Sequence, residues 1–535
     1  MQAALRRRTM EALAGIAAAT IGAGSGELLA ALFAPSASPF AVVGGALIDV
    51  APAWAKDTAI AWFGTADKVA LLVGIAIVLL ALAAGAGMAE ARWARSGVIA
   101  LIVVGVAVGI VALTRADAGL LAWIPSMLAG AVAATALRML VSSAPFDDAT
   151  LDRATRDGAT LGGATHDVPV ESTASGAPTG PTRRRFLAWA GGTALVGVAM
   201  AVAGALTKAG SAAVSSVRDA IRLPRPVAPA PAVPAGATLD VPGLSPLITP
   251  NRDFYRIDTA LIVPTVDPGE WRLRIHGMVA DEVTLTWDEL LALPLTERAV
   301  TLSCVSNPVG GDLVGNAVWL GYPIRELLAR AVPDVDADMV LSTSADGFTA
   351  GTPLEALTDD RDALLAIGMN GEPLPLAHGF PVRMVVPGLY GYVSATKWVT
   401  DLEVTRFDRA RAYWTDRGWS ERGPIKLQSR IDVPRAGRTI EAGESVIAGV
   451  AWQPGTGVSA VEVQIDDGPW ERAEMASALS ADTWVQWRLP WRAEPGDHRI
   501  RCRAIAADST VQTDAIAPPA PDGASGWHTI TATVS

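Results

Sequence analysis

Val300-Thr301-Leu302-Ser303-Cys304-Val305-Ser306-Asn307-Pro308-Val309-Gly310-Gly311 changes character at its fifth residue. The first four residues read as the end of a strand, and the rest as a loop of turn-forming residues. Cys304 stands where one gives way to the other, beside a glycine-rich turn, a place from which a thiol can meet a ligand. Two plainer readings compete: a buried free thiol, or a disulfide to Cys502, the only other cysteine in 535 residues. Cys502 shares one face of the alternating stretch 498–504 with Ile500 and Ala504, so it reads as a small core residue. Two cysteines make neither a disulfide scaffold nor a cysteine-rich zinc site.

Around this segment, residues 251–424 mix short strands and helices. Trp271, Leu273 and Ile275 alternate with Arg272, Arg274 and His276, a strand pattern. Thr286 and Glu289 form a capping box ahead of Leu290 and Leu291. Further strands are expected at 300–303, 339–342, 363–367, 382–386 and 398–404, an α+β fold dominated by strands. From 425 to 535 the texture is purely β. Val461, Val463 and Ile465 alternate with polar residues before an Asp467-Gly468 turn, and strands are expected at 483–489, 498–504 and 527–534. An immunoglobulin-like sandwich follows. Upstream, the proline-rich stretch within 209–250 predicts a polyproline II spacer off the membrane.

The first half is of another kind. Half of all residues are apolar, and most of that excess lies before residue 210. Five segments, 9–33, 69–88, 96–113, 118–137 and 186–206, are long and apolar enough to cross ~30 Å of hydrocarbon. A sixth, 40–64, is broken by Asp49, Pro52, Lys56 and Asp57 and is read as re-entrant or interfacial. With five spans, Arg6–Arg8, Arg92, Arg95, Arg138 and the 183–185 arginines fall on one side. The positive-inside rule makes that side cytoplasmic and the C-terminal half external. Glu11 and Glu27, in or beside the first span, are candidates for a proton or ion role, although both lie near its ends. Residues 143–182 read as a flexible cytoplasmic linker. Thr182-Arg183-Arg184-Arg185-Phe186-Leu187 then resembles a twin-arginine export signal, against the plainer reading of a basic flank on a helix.

Composition excludes several functions. The net charge of −11, with no basic stripe in the soluble half, argues against a nucleic-acid partner. None of the five histidines lies in an apolar run and there is no C-x-x-C-H, so no haem is expected.

Four motifs then stand in order: Ile-Thr-Pro-Asn-Arg-Asp-Phe-Tyr (248–255), Thr-Leu-Ser-Cys-Val-Ser-Asn (301–307), His-Gly-Phe-Pro-Val-Arg (378–383) and Thr-Lys-Trp (396–398). With the trailing sandwich, residues 240–535 resemble the sulfite oxidase family of molybdenum enzymes, in a membrane-anchored bacterial form. The resemblance implies molybdenum held by the dithiolene of one molybdopterin and by the Cys304 thiolate, a soft ligand for a sulfur-bound metal. It implies Arg383 and Lys397 as phosphate and pterin contacts, flanked by Ala395 and Thr396, with His378 as a further pterin contact. Asn251, Phe254 and Tyr255 would cradle the cofactor from the N-terminal side, and Thr343 and Asp346 are looser matches. It also implies two-electron oxygen-atom transfer on a small oxo substrate, a separate electron carrier, and a possible homodimer through the sandwich. Insertion of such a cofactor in the cytosol accords with export of a folded protein.

The sequence departs from the family where sulfite would bind. The family's substrate tyrosine falls near Trp419, its C-terminal arginine near Val458, and its N-terminal arginine at Arg256 or Ile257. An S-oxide-type reductase of the same fold is therefore an alternative to sulfite oxidation. A cell-surface binding module with an inactive molybdopterin fold, or a transporter with a soluble sensor, are further alternatives. Neither accounts for Cys304, Arg383 and Lys397 together.

Overall fold

A computed structural model of the protein describes residues 2–33, 37–51, 58, 67–115, 118–142, 183–206 and 209–535. The expected linker 143–182 lies outside the described residues. The chain divides into two compact units, 1–51 with 59–210, and 52–58 with 211–535.

The first unit is helical: α1 (Gln2–Phe33), α2 (Pro39–Val50), α3 (Asp67–Arg92), α4 (Ser96–Leu113), α5 (Ile124–Ser142) and α6 (Arg183–Leu206). Among the described residues five helices are long and apolar enough to cross a membrane: Arg7–Phe33, Ala70–Arg92, Ser96–Leu113, Ile124–Ser142 and Arg184–Ala203. They fall on the five expected segments. The fourth starts later than expected, because 118–123 form turns before Pro125 opens the helix. The N-terminal part of the broken sixth segment forms the short α2.

Glycine sets the spacing of these helices. A Cβ on Gly24 would fall 2.0 Å from the Gly197 carbonyl oxygen, and one on Gly15 would fall 1.9 Å from that of Ala83. Only glycine lets the backbones approach so closely. The carboxylates of Glu11 and Glu27 are both occupied locally. Glu11 pairs with Arg7 at 2.9 Å. Glu27 accepts from Ser38 Oγ at 2.8 and 2.7 Å and from Phe40 N at 3.0 Å, at the start of α2.

The second unit opens with most of α7 (Ala209–Ala220) and contains four sheets. One runs β2 (Val283–Thr286), β1 (Arg272–Gly277), β10 (Val399–Thr405), β5 (Met339–Ser344), β6 (Thr349–Pro353). A second runs β3 (Thr296–Ser303), β4 (Val314–Pro323), β7 (Leu364–Met369), β8 (Glu372–Pro373), with β9 (Arg383–Val385) also on β7. Helices α8 (Trp287–Ala292) and α9 (Ile324–Ala331) pack on a shared core that includes Trp271, Leu290, Leu327 and Val404. The capping box forms as expected: Thr286 Oγ1 accepts from Glu289 N while the Glu289 carboxylate accepts from Thr286 N.

The C-terminal sheets are β11 (Gln428–Val433), β13 (Gly443–Trp452), β17 (Val485–Ala493), β16 (Glu474–Met475), and β12 (Thr439–Ile440), β19 (His528–Val534), β18 (Gly496–Ala506), β14 (Val458–Ile465), β15 (Trp470–Arg472). They enclose an apolar core containing Ile447, Val463, Trp487, Ile500 and Cys502. Strand β4 has no counterpart among the expected strands. It is buried on both faces, so its sequence shows no alternation.

The proline-rich stretch departs from the spacer reading. Val227 N donates to Leu295 O (2.8 Å), Glu297 N to Ala228 O (2.8 Å), and Leu239 N to Gln486 Oε1 (2.7 Å). Ala237 and Leu247 are buried in the main core. Proline removes its own N–H but not its neighbours', and those neighbours lay the segment along the soluble unit. Ahead of it, α7 buries Val214 beside Phe254 and Trp319. Its Arg218 donates to Leu374 O (2.8 Å) and Pro373 O (2.6 Å).

Candidate functional site

Strand β3 pairs antiparallel with β4 through Ser303 and Val314, and Cys304 begins the excursion between them. The loop is closed at its neck: Cys304 N donates to Leu313 O at 2.9 Å, and Asn307 Oδ1 accepts from Leu313 N at 2.9 Å. Cys304 and Cys502 are both free thiols, so the disulfide reading is set aside. Burial pushes the Cys304 thiol up, and the Ser306 N–H and hydroxyl oppose that rise.

Three basic side chains gather around one glycine. A short helical turn, Leu376–His378, ends at Gly379 (φ +108°), where a Cβ would fall 3.0 Å from the Cβ atoms of both Arg383 and Lys397. Arg383 and Lys397 themselves form an antiparallel bridge. Glycine is required here both for the left-handed backbone and for the close approach.

Arg383 is only 5% exposed. Its guanidinium donates to the carbonyls of Met384 (3.3 Å), His378 (3.2 Å) and Ala395 (3.4 Å) and lies 5.0 Å from the Trp319 ring centroid. Among the described residues no carboxylate forms an ion pair with it. Burial draws its pKa down to about 10. A buried cation satisfied only by neutral oxygens carries uncompensated charge, the condition that an anionic ligand relieves.

Lys397 is paired instead. Its Nζ contacts Asp258 and donates to Ala377 O at 3.2 Å. Asp258 is itself buried and also takes Arg256 Nε at 2.9 Å. Burial pulls Lys397 down to about 8, against the opposing pull of Asp258. His378 Nε2 lies 3.1 Å from the Asn251 carbonyl, which can only accept, so Nε2 carries the proton and Nδ1 is left as an acceptor. Burial first, then Arg383 and Lys397, push its pKa down to about 4.

Aromatic rings wall this cluster. Phe254 stacks on Tyr255 (5.3 Å) and meets Trp319 (5.8 Å) and His378 (5.7 Å) edge-on. Burial drives the Tyr255 hydroxyl far up, and the Cys304 sulfur raises it further. A Cβ on Gly391 would meet Tyr255 Oη at 3.9 Å and Ser303 O at 4.0 Å, so Gly391 lies between the tyrosine and the end of β3. Tyr390, also influenced by Cys304, is pushed up to about 12.

The structure thus gathers Phe254, Tyr255, Cys304, His378, Arg383 and Lys397. Ala395 contributes its carbonyl. Of the remaining expected residues, Asn251, Thr396 and Asp346 make side-chain hydrogen bonds within the fold. Asn251 spends its side chain on Glu372 Oε1 (2.5 Å), Met369 O (3.2 Å) and Asn370 (2.7 Å), and reaches the cluster through its carbonyl. Thr396 is fully buried with its hydroxyl on Ser342 Oγ at 2.7 Å. Thr343 and Asp346 lie on β5 and its turn into β6, where Asp346 Oδ1 accepts from Phe348 N at 3.2 Å. Sequence reasoning missed Asp258 and Trp319; the Arg256-x-Asp258 spacing was the available signal for the first.

At the departures, Trp419 is buried against Tyr392 (5.9 Å) and Trp414 (6.1 Å). Val458 opens β14 opposite Ala506, and Arg256 is committed to Asp258.

Residues 260–414 match the model of the oxidoreductase molybdopterin binding domain. Mitochondrial sulfite oxidase of Rattus norvegicus is 31% identical over 320 residues, covering 51% of this chain and 58% of that protein. Sulfite oxidase of Gallus gallus is 30% identical, covering 51% and 69%. An uncharacterized oxidoreductase of Bacillus subtilis is 31% identical over 157 residues, covering 29% and 76%. The sulfane dehydrogenase SoxCD from Paracoccus pantotrophus superposes with a TM-score of 0.46 at 24% identity, over 54% of this chain and 81% of that one. The chain spans little more than half the length of the mammalian relatives it matches.

The class is that of molybdopterin-binding oxidoreductase domains. Within that class, the chain belongs to the sulfite oxidase family.

Proposed function

We propose that the chain is a membrane-anchored molybdenum-cofactor oxidoreductase, catalysing two-electron oxygen-atom transfer on a small oxo compound at the outer face of the plasma membrane. One observation carries this reading: Tyr255 feels both a free, loop-borne Cys304 thiol and Arg383, a buried cation with no paired carboxylate among the described residues. The residues present fit one pterin-bound metal. Among the described residues no three metal-ligating side chains gather, so a metal here would take one thiolate from the chain and its other donors from the cofactor.

Cys304 would hold the molybdenum, and Arg383 and Lys397 the anionic end of the pterin, one as a planar fork and one as a point charge. His378 presents a neutral imidazole whose Nδ1 can take an N–H. The metal centre supplies the oxygen-atom and electron-pair chemistry when bound. Tyr255 stays protonated and donates rather than bases. The Trp319, Phe254 and Tyr255 rings exclude water, which strengthens each of these charges.

Arg256 neutralised by Asp258, and valine at 458, leave less positive charge for sulfite than the family pattern supplies. That observation favours a neutral oxygen donor of the S-oxide type as the second reading. Electrons then pass through a separate carrier, and the sandwich offers a surface for a homodimer. The arginines at 183–185 serve as the export signal and orient the external half.

The test is metal analysis of the full-length protein with a screen of sulfite and S-oxides, against Cys304→Ser. Stoichiometric molybdenum and activity lost in the variant support the reading. Equal turnover in both proteins ends it.

A further inference from the structure

The neck of the Cys304 loop is tied within itself, and its tip carries one internal bond, Gly311 N to Pro308 O at 2.9 Å. The tip is held from the C-terminal sandwich. Arg430 of β11, buried, donates Nη1 to Gly311 O at 2.8 Å. Its other donors are fixed by Asp432 (Nε, 2.7 Å) and Ser245 Oγ (Nη2, 2.8 Å), so the fork cannot swing. His528, the first residue of β19, lies flat against the neighbouring residue. A Cβ on Gly310 would fall 2.1 Å from His528 Cδ2 and 2.3 Å from Nε2, and Gly310 has φ +77°. His528 Nδ1 accepts from Ile431 N at 2.9 Å, which fixes the ring's tautomer and orientation. The strand entering the loop is tied to the same half: Thr301 N donates to Asp482 O (2.9 Å) and Trp484 N to Thr301 Oγ1 (2.8 Å).

We infer that Arg430 and His528 are positioning residues for the Cys304 sulfur, clamping consecutive glycines of its loop so that the sandwich forms part of the redox centre. Neither touches the thiol. They act through the Gly310–Gly311 backbone, and a ligand must be held to roughly 0.5 Å to meet a metal whose other donors are rigid. The inference rests on Cys304 being the ligand, as proposed above. The clamp itself is testable without metal.

The experiment uses the full-length protein from a host that makes no molybdopterin, with iodoacetamide labelling of Cys304 followed by mass spectrometry. Cys502, paired with His528 across β18 and β19, reports on the sandwich core, and thermal melting checks that the fold survives. His528→Ala and Arg430→Met should each raise Cys304 labelling about tenfold, the scale for losing one buried hydrogen-bonded tie, with the cooperative melting transition retained. His528→Asn, whose Oδ1 can take the Ile431 N–H, and Arg430→Lys should recover part of the protection. Gly310→Ala should loosen the loop in the parent and add less to His528→Ala than it does alone, since the clash is then gone and only the strain of the left-handed backbone remains. In protein loaded in a competent host, the same variants should broaden the Mo(V) resonance.

Unchanged Cys304 labelling, a rise seen only where the melting transition is lost, or fully additive Gly310 and His528 effects would overturn the clamp. Loaded parent protein without molybdenum would overturn the functional reading, and with it the metal's place in this inference, even with the labelling pattern intact.

Discussion

Cys304 and Cys502 are both buried, both reduced, and both made harder to ionise by burial, yet their surroundings differ in kind. Cys502 lies inside β18 with Ile500 and Ala504 on its face, and its thiol is pushed up to about 12. Cys304 stands at the end of β3, near phenols and a cluster of cations. Burial alone therefore does not mark a site. Irregular backbone at a strand end, together with charge the fold leaves uncompensated, does.

The largest contrast should come from replacing each sulfur. Cys304→Ser is expected to drop molybdenum-dependent turnover to background while leaving the melting temperature within a few degrees. Cys502→Ser should keep turnover per folded molecule but cost ~1–3 kcal/mol on denaturant unfolding, because it buries a hydroxyl in an apolar core. The reverse assignment would break the comparison.

Arg383→Met sharpens it next. Removing a buried, unpaired charge should leave the cofactor-free chain as stable or more so. Molybdopterin retention on dialysis should fall roughly 10–100-fold, as expected for losing charge-assisted hydrogen bonds. Loss of stability with retention unchanged would show the guanidinium to be structural.

Acid should act on both regions at once. His378 and His528 have folded pKa values of about 4, below the ordinary 6.5. A depressed pKa means that unfolding takes up protons, so their contribution is complete above pH 6.5. It is lost progressively as pH falls from 6.5 toward 4, roughly 3 kcal/mol for each. His498, raised by Asp466, has the opposite sign. Melting temperature against pH should fall less steeply in His528→Asn than in the parent; identical slopes would place that ring in water. The smallest expected effect is Thr286→Ala, about 1 kcal/mol from the lost capping box, seen in unfolding with no change in metal content.

Much of this was legible in advance, and the misses have causes. The five apolar helices, the capping box and the alternating strands β1 and β14 are local patterns, and all appear where expected. Cys304, His378, Arg383 and Lys397 were found as motifs in order, and they do meet. Asn251, Asp346 and Thr396 carry side-chain hydrogen bonds within the fold, and a sequence cannot say where such bonds are made. Strand β4 escaped notice because burial on both faces erases periodicity. The 209–250 stretch misled because prolines suggest a solvated spacer, while its remaining N–H groups find partners far along the chain.

Period, capping and span length act within a few residues, and chain order alone determined them: which segments are helix or strand, which are apolar enough for a bilayer, and which thiol sits in a loop. The pairing of Asp258 with Lys397, the lack of a carboxylate paired with Arg383 among the described residues, and the hold of Arg430 and His528 on the Cys304 loop were decided only by tertiary structure. Burial and charge compensation are properties of neighbours in space, and these neighbours lie tens to hundreds of residues apart in the chain.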